Sequence, residues 1–271
     1  MPWTERQQAL LGEMGIHLWP GATADADAPV EAAARTESSA AINPPPQPAA
    51  ARPAATATAA RPAPPAIVRE SALRPAGVAT MGWPELREAV AQCRACGLCE
   101  GRQNTVFGAG NEQAHWMLVG EAPGEQEDRQ GEPFVGKAGQ LLDAMLQAVG
   151  LTRGAAEPAR QVYIANVLKC RPPHNRNPEP QEVAQCERYL VRQVELLAPR
   201  LILAMGRFAV QSLLKTQEPI GRLRGKVHSY HGVPVVVTYH PAYLLRNPLD
   251  KARSWEDLCL AREVLAGVST A

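Results

Sequence analysis

A glycine-rich loop with one acidic and one aromatic side chain is the part of the sequence best suited to chemistry. Gly-Glu-Ala-Pro-Gly at 120–124 follows a short apolar run, and a second glycine-containing stretch at 131–139 opens a helical pattern. Glycine lacks a Cβ, so such loops let a ligand approach backbone N–H groups closely. The carboxylate of Glu121, the exposed amides and the flat ring of Phe134 together predict a site for a planar, polar ligand.

Polar residues also follow the other apolar runs of the chain. Strands are predicted at 116–119, 162–165, 201–204 and 233–238. Glu121 follows the first run, Asn166 ends the second, Gly206 follows the third and His240 comes just after the fourth. Each residue alone is explained equally well as a turn residue or a helix cap. Because the carboxyl ends of parallel strands meet at one sheet edge, the group together predicts a binding site.

The elements that must position these residues alternate between strand and helix. Helical patterns lie at 137–149, 179–197 and 207–214, and a last helix is predicted over 254–266 with Ser254 as its N-cap. The strands are apolar throughout, which is typical of a parallel sheet covered on both faces. We therefore expect an α/β fold: a three-layer α/β/α arrangement with a central, mostly parallel four-stranded sheet.

The 271 residues divide into three regions of different composition. Residues 1–20 form a short apolar tail, and residues 21–78 are rich in Ala and Pro with few large apolar side chains, which predicts a disordered linker. Residues 79–271 are enough for one α/β domain. No apolar run approaches the roughly 18 residues of a membrane span, and the start lacks the regions of a secretory signal, so we expect a cytoplasmic protein.

Clustered cysteines indicate a metal site rather than disulfides in a cytoplasmic protein. Cys93, Cys96 and Cys99 form two overlapping C-x2-C pairs, and Cys170 and Cys186 are separated by fifteen residues. Four thiolates could hold zinc or an iron–sulfur cluster, and the spacing alone does not choose between them. The long interval between the pairs argues against a zinc ribbon. The sixth cysteine, Cys259, is interpreted as a buried thiol of the last helix.

The formal net charge of +1 neither demands nor excludes a nucleic-acid partner. Local basic groups are candidates for phosphate contacts, although solvated surface charge is the commoner role of a single Lys or Arg. The candidates are Lys169, Arg171, Arg176, Arg222, Arg224, Lys226 and Arg246. Residues 131–138 nearly match the phosphate-binding loop of nucleotide hydrolases, but Ala138 lacks the hydroxyl that would hold magnesium, so this class is disfavoured.

Five motifs in order resemble the family-four uracil-DNA glycosylases of bacteria and archaea. They are Gly-Glu-Ala-Pro-Gly at 120–124, Glu-Asp at 127–128, Pro-Phe-Val-Gly-Lys-Ala-Gly at 133–139, Asn166 with Lys-Cys-Arg-Pro-Pro at 169–173, and His-Pro-Ala-Tyr-Leu-Leu-Arg at 240–246. The resemblance covers roughly residue 81 to the C-terminus. It implies a [4Fe-4S] cluster held by Cys93, Cys96, Cys170 and Cys186. Cys99 lies outside the family pattern.

The resemblance also implies a DNA-repair reaction. Such an enzyme flips uracil out of single- or double-stranded DNA, hydrolyses its N-glycosidic bond and leaves an abasic site. The implied uracil-binding residues are Ala122, Gly124, Phe134 and Asn166, with Glu121 and His240 as catalytic residues and Glu127 as a weaker catalytic candidate. Leu244 is expected to wedge into the base stack, and Arg171, Arg176 and Arg246 are expected to contact DNA. We expect a monomer.

Two other functions stay open from the sequence. A non-catalytic or covalent uracil-DNA binding protein would keep the pocket without turnover, but the short 172–178 loop, with His174 at its surface, resembles the ordinary glycosylase form. A replisome-associated adaptor is the other alternative. Residues 6–19 loosely resemble the amino-terminal segment of the psi subunit of bacterial replicative polymerase, which binds the chi subunit. The tail is thus either a docking peptide or a helix on the enzyme's own surface.

Overall fold

The computed structural model describes Glu13 and residues 77–268. The predicted docking tail at 1–20 and almost all of the predicted linker at 21–78 lie outside this range, apart from Glu13 and the last two linker residues. Within the described residues, the helices are too short or too polar to cross a membrane.

The central sheet has six strands in the order β1-β3-β2-β4-β6-β5. The inner four strands are parallel, as predicted, and the two short edge strands pair antiparallel to them. The strands are β1 Ala109–Gly110, β2 Trp116–Gly120, β3 Val162–Asn166, β4 Leu201–Met205, β5 Val227–Tyr230 and β6 Val233–Thr238. The four-stranded parallel sheet predicted from the sequence is therefore extended by one strand at each edge.

Both added strands carry weak sequence signals. β1 has only two residues, one of them glycine, and β5 is largely exposed, so neither shows a continuous apolar run. β5 and β6 form a hairpin through His231 and Gly232, whose φ angles of 47° and 82° suit the two-residue turns that favour residues in the left-handed region. The sequence carries this signal only as a His-Gly pair.

Nine α-helices of the described residues surround the sheet. They are α1 Trp83–Ala91, α2 Leu98–Gly101, α3 Glu125–Gln130, α4 Gly136–Ala148, α5 Pro180–Leu197, α6 Arg207–Leu214, α7 Ile220–Leu223, α8 Pro241–Arg246 and α9 Lys251–Val268. The prediction of Ser254 as the N-cap of the last helix is wrong. That helix begins at Lys251, after a 3-10 turn over Pro248–Asp250, and Ser254 is fully buried inside it.

Alternate residues of the strands point to opposite faces of the sheet and pack into two apolar layers, one on each face. Along β2, Trp116 and Leu118 pack with residues of α4 and α9, whereas Met117 and Val119 pack with residues of α5 and α6. Each fully buried Leu or Met contributes roughly 1.5–3 kcal/mol from burial alone. Helices on both faces of a parallel sheet confirm the predicted α/β/α arrangement.

The strand order creates a crevice at one point of the sheet. The chain adds β3 on one side of β2 and then crosses over to add β4 and β6 on the other side. Such reversals open a cleft at the carboxyl ends of the strands, where α/β proteins bind ligands. The loops after β2, β3, β4 and β6 therefore face the same region.

Candidate active site

A cavity of about 560 Å³ lies at the carboxyl edge of the sheet. Every residue predicted to be catalytic or base-binding lines it: Glu121, Ala122, Gly124, Phe134, Asn166 and His240. These residues come from the loops after β2, β3 and β6, and they meet in space although they are up to 119 positions apart. The convergence predicted from the strand ends is thus present in the fold.

Gly120, the last residue of β2, allows two of these side chains to meet. A Cβ at this position would collide with Asn166 Oδ1 and would lie 2.6 Å from Phe134 Cζ. The amide of Asn166 and the edge of the Phe134 ring therefore lie directly over the glycine. Any larger residue at 120 would displace one of them. The first glycine of the loop therefore leaves the room that both side chains need to line the cavity.

Phe134 has an unusual backbone conformation. Its φ of 54° is in the left-handed region, which costs a non-glycine residue of order 1–3 kcal/mol unless its surroundings hold it there. Its ring is buried and lies 5.2 Å from the imidazole of His240, at an interplanar angle of 28°. Gly139 of α4 packs so tightly on the loop that a Cβ there would collide with the Phe134 carbonyl oxygen.

Two charged side chains hold this loop from opposite sides. Glu127 Oε1 accepts a hydrogen bond of 3.2 Å from the Val135 N–H. Arg153 donates to the Pro133 carbonyl oxygen at 3.1 Å and to the Gly139 carbonyl oxygen at 3.3 Å. Hydrogen bonds that involve a charged group are among the stronger ones. The strained residue is thus fixed by its neighbours' backbone groups.

Asn166 ends β3 with an unsatisfied oxygen. The side chain is only 2% exposed, and its Oδ1 has no hydrogen-bond partner among the described residues. A buried acceptor without a donor typically costs about 1–3 kcal/mol. An unpaired polar atom beside a cavity indicates that a ligand donor completes it.

His240 is a neutral hydrogen-bond donor at physiological pH. It forms the N-cap of α8, and its Nδ1 accepts a 3.2 Å hydrogen bond from the Ala242 N–H. Burial lowers the pKa of His240 to about 4, with a further contribution from the positive charge of Arg246. With Nδ1 accepting, the single ring proton of the neutral form resides on Nε2, which is left to donate.

Glu121 sits where β2 enters the cavity. The β2–β3 pairing continues past the strands, because Val167 N–H donates to the Gly120 carbonyl and Leu168 N–H donates to the Glu121 carbonyl, each at 3.0 Å. Burial raises the pKa of the Glu121 carboxyl to about 7. Near neutral pH this group exchanges a proton readily, as a general base requires.

Glu127 also lines the cavity, beside Gly124. A Cβ at Gly124 would lie 2.6 Å from Glu127 Oε2, so the carboxylate occupies the space that a side chain at 124 would fill. The neighbouring Asp128 has a different role. It is 2% exposed and accepts hydrogen bonds from the backbone N–H groups of Gln103 and Asn104, which makes it a structural residue.

The prediction that Leu244 wedges into the base stack is wrong. Leu244 is fully buried in the core on the α4 side of the sheet, because its position on α8 faces inward with Pro241. The next side chain, Leu245, is 43% exposed, and the exposed Arg246 lines the cavity. One step along the helix therefore separates a core residue from an exposed one.

The other predicted phosphate contacts differ in availability. Arg171 bonds Asn175 Oδ1 at 2.8 Å, and Arg176 lines the cavity but forms a two-point ion pair with Glu182 at 2.6 and 3.0 Å. For both, a DNA contact stays a prediction. Lys169 is fully buried and Arg224 pairs with the buried Asp257, so a phosphate role for these two is wrong.

Several residues of the cavity wall were not predicted from the sequence, among them a cation and an aromatic ring. Arg207 and Phe208 open α6 directly after Gly206, and both line the cavity. Gly206 has a φ of 88°, and a Cβ on it would lie 3.0 Å from the His240 Cβ, so the glycine permits close approach of the two strand ends. Arg207 and Phe208 come shortly after a predicted strand, and this position was the signal that could have identified them.

A second, much smaller cavity of about 10 Å³ is lined by thiols. Its wall contains Cys93, Cys96, Cys99, Cys170 and Cys186, together with Arg102 and Lys169. Within residues 77–268, His, Cys, Asp and Glu side chains nowhere form a group of three around a single-ion position. The wall offers thiols without a carboxylate or an imidazole, which is a donor set that an iron–sulfur cluster or zinc takes. Cys259 is half-buried in α9, away from this wall.

One guanidinium and one backbone N–H donate to sulfur atoms of this second cavity. Arg102 Nη1 lies 3.1 Å from Cys170 Sγ, and the backbone N–H of Lys169 donates to Cys186 Sγ at 3.2 Å. Burial raises the pKa of the Cys186 thiol to about 12, and burial also raises that of Cys170. N–H donors aimed at sulfur are the outer-shell contacts that support metal-bound thiolates.

Comparisons with known proteins agree with this geometry. A family model described as the Uracil DNA glycosylase superfamily matches residues 107–261. The type-4 uracil-DNA glycosylase of Archaeoglobus fulgidus is 47% identical over 167 residues, which are 59% of this chain and 81% of that protein. The type-4 enzyme of Thermotoga maritima is 42% identical, over 61% of this chain and 84% of its own. A type-5 enzyme of Pyrobaculum aerophilum is 34% identical, over 50% and 64%.

Proposed function

Because the chain belongs to the uracil-DNA glycosylase superfamily, we propose that the cavity at the sheet edge receives a uracil flipped out of DNA and that its side chains break the N-glycosidic bond. Its relatives from Archaeoglobus fulgidus and Saccharolobus solfataricus are named type-4 uracil-DNA glycosylases, and this protein is accordingly a DNA-repair glycosylase that hydrolyses this bond. The single observation that carries the site assignment is the unpartnered Asn166 Oδ1 in a cavity shared with Phe134 and His240.

Recognition of the base rests on Asn166 and Phe134. The amide of Asn166 both donates and accepts, so it pairs with uracil O4 and N3–H, while the Phe134 ring supplies a stacking face. Cytosine presents the opposite pattern at these two atoms. Cytosine would therefore leave buried groups unpaired, a penalty that gives strong discrimination.

Bond cleavage places negative charge on the uracil ring, and His240 is the group that meets it. Its Nε2–H donates toward uracil O2, helped by backbone N–H groups of the Ala122–Gly124 loop. Because the neutral imidazole is fixed in position before the reaction, it stabilises the leaving group without reorganisation. A donor of this kind is typically worth about 3–4 kcal/mol of barrier.

Glu121 acts on the sugar side in its ionised form. The carboxylate orients or deprotonates the attacking water and stabilises the cationic sugar. Its raised pKa of about 7 means that the free enzyme gains this form as the pH rises toward neutrality.

Glu127 supplies the rejection of thymine in this proposal. Its carboxylate fills the space beside Gly124 and is held there by the Val135 N–H. A thymine methyl that entered this space would collide with the carboxylate or strip it of solvent, and either effect is costly. A Glu127→Ala variant should therefore accept thymine more readily than the wild-type protein does.

The thiol-lined cavity fits the [4Fe-4S] cluster that the family resemblance implies. Cys93, Cys96, Cys170 and Cys186 would hold it, with Cys99 as an adjacent fifth thiol. Bound there, the cluster would cross-link the loop between α1 and α2, and also α5, to the segment after β3, which is a structural contribution. The reaction steps described above use only residues of the other cavity.

The test is a glycosylase assay on duplex DNA with one U:G pair. Multiple turnovers that leave alkali-labile sites, reduced in Asn166→Ala and in Glu121→Ala, support the assignment. A stoichiometric complex without strand breaks would favour a uracil-DNA binding protein instead. Full activity of Asn166→Ala would contradict the proposed recognition.

We propose a docking role for residues 1–20 only as a separate hypothesis, motivated by the short apolar tail beside a long Ala/Pro-rich segment. Deleting these residues should leave the rate on short DNA unchanged and should abolish binding to a replisome protein. Retained binding after the deletion would refute it.

A further inference from the structure

A fully buried lysine lies behind the cavity and has no role in the steps above. Lys169 is 1% exposed, and its Nζ donates to the Asn166 backbone carbonyl and to Gln193 Oε1, each at 2.7 Å. Both acceptors are neutral. Removing an ammonium group from water costs several kcal/mol, a cost that an apolar side chain of similar volume would not carry. Simple packing therefore does not explain a lysine at this position.

The second acceptor is itself held in one orientation. Gln193 of α5 is completely buried, and its Nε2 donates to the Phe107 carbonyl at 3.0 Å and to Tyr163 Oη at 3.1 Å. With the nitrogen engaged twice, the amide oxygen must face the ammonium. Gln193 thus fixes Lys169, and Lys169 in turn fixes the peptide of Asn166.

The same lysine reaches the thiol-lined cavity. Its backbone N–H donates to Cys186 Sγ, and Cys170 is the next residue along the chain. One short segment, 166–170, therefore belongs to both cavities. Lys169 is the residue of this segment whose main chain contacts a sulfur atom while its side chain contacts Asn166.

We propose that Lys169 is a positioning residue for base recognition. Its ammonium holds the Asn166 carbonyl, so the side-chain amide on the same residue is directed into the cavity. Gln193 keeps the ammonium in place, and the contact with Cys186 ties this arrangement to the cysteine cavity. The inference rests on the proposed function, since it requires Asn166 to read the base.

A double-mutant cycle tests the proposal. Single-turnover cleavage of a short uracil-containing oligonucleotide is measured for the wild type, Lys169→Met, Asn166→Ala and the double variant. Met keeps the volume and removes the charge and the donors. If Lys169 acts through Asn166, Lys169→Met should reduce cleavage at least about tenfold in the wild-type background and less than about twofold in the Asn166→Ala background.

Further variants separate positioning from a general loss of structure. Gln193→Leu keeps the ammonium but removes one acceptor, and it should show the same non-additivity with a smaller loss. Lys215→Met, which removes an exposed lysine that lines neither cavity, is the matched control and should be unchanged. Melting temperature and iron content of each variant are recorded alongside. If Lys169→Met does not fold, Gln193→Leu decides the question.

Each outcome has a defined reading. Equal fold-losses in the wild-type and Asn166→Ala backgrounds would overturn the proposal, because Lys169 would then support the fold generally. Wild-type cleavage by Lys169→Met and Gln193→Leu would overturn it as well. Full activity of Asn166→Ala by itself would instead contradict the proposed function, so the two failures are distinguishable.

Discussion

The two cavities of this protein are built in opposite ways. The cavity of about 560 Å³ at the carboxyl edge of the sheet contains an unpaired Asn166 oxygen and is lined by the strained Phe134. The smaller cavity is lined by thiols, and Arg102 and Lys169 already donate to two of its sulfur atoms. Unpaired and strained groups lie at the cavity proposed to bind substrate, whereas N–H groups already paired with sulfur lie at the cavity proposed to hold the cluster.

The difference shows how one segment serves both purposes. Residues 166–170 run from the end of β3, where Asn166 is proposed to bind the base, to the thiol cavity. Rigidity at the thiol end permits an unsatisfied group at the other end, because the surrounding contacts prevent Asn166 from turning away. Changes at the substrate cavity should therefore lower catalysis alone, and changes at the thiol cavity should lower stability and catalysis together.

The largest effect on turnover is expected for His240→Ala. Loss of the Nε2–H donor removes stabilisation that appears only as the bond breaks, so kcat should fall by about 10²–10³-fold. Melting temperature should change little. Single-turnover kinetics on uracil-containing DNA measures this, with the exposed His174→Ala as the control. A His240→Ala rate within threefold of wild type would contradict the assigned role.

The thiol cavity should respond differently. Cys170→Ser should lower iron content sharply, and loss of the cross-link should reduce the melting temperature by roughly 10 °C. Cleavage should fall too, because Asn166 loses its anchored neighbour. The matched control is Cys259→Ser, on the half-buried face of α9. Unchanged iron content in Cys170→Ser would show that this cysteine is not a ligand.

A pH profile isolates Glu121. The free enzyme needs the ionised carboxylate, so kcat/KM should fall about tenfold per pH unit below pH 7 and reach a plateau above it. His240, with a pKa of about 4, does not titrate in this window. Glu121→Gln should be slow and without this slope. A wild-type profile that is flat from pH 5 to 8 would rule out the assignment.

The same group affects stability with a defined sign. The Glu121 pKa is raised from 4.5 in the unfolded chain to about 7 in the fold, so the folded state binds the proton more tightly. Its contribution to the free energy of unfolding is present below pH 4.5 and is lost as the pH rises through 7. Stability of the wild type relative to Glu121→Gln should therefore decrease across that interval.

A smaller effect is expected at Arg153. Arg153→Ala removes two donors from the carbonyls that flank the Phe134 turn, which should let the ring move and should raise the inhibition constant for free uracil several-fold. Arg160→Ala, whose guanidinium bonds Gly150 instead, is the control. Equal inhibition constants for the two variants would show that Arg153 does not hold the Phe134 ring in place.

The smallest effect on turnover separates two adjacent leucines. Leu245→Ala should weaken cleavage of duplex DNA a few-fold and leave stability unchanged, because its side chain is exposed. Leu244→Ala should instead lower the free energy of unfolding by about 2–5 kcal/mol, because it opens a cavity in the core. Thermal unfolding and duplex cleavage distinguish them. The reverse pattern would restore the original wedge prediction.

The strand ends were predictable, and the orientation of side chains was not. Buried parallel strands are continuous apolar runs, so their ends, and hence Glu121, Asn166 and His240, could be located from the sequence. Whether Leu244 or Leu245 faces the core depends on where α8 begins. A shift of that start by one residue would exchange the buried and the exposed leucine. Lys169 looked like a phosphate contact because nothing local predicts that Gln193, 24 residues later, meets it in the interior.

The central claim is that one cavity holds uracil between Phe134, Asn166 and His240. A crystal structure of the protein with free uracil tests it most directly. The uracil ring should stack on Phe134, with the Asn166 amide at its O4 and N3–H edge and His240 Nε2 about 2.7–3.2 Å from its O2. Uracil bound elsewhere, or an Asn166 amide turned away from the base, would contradict it.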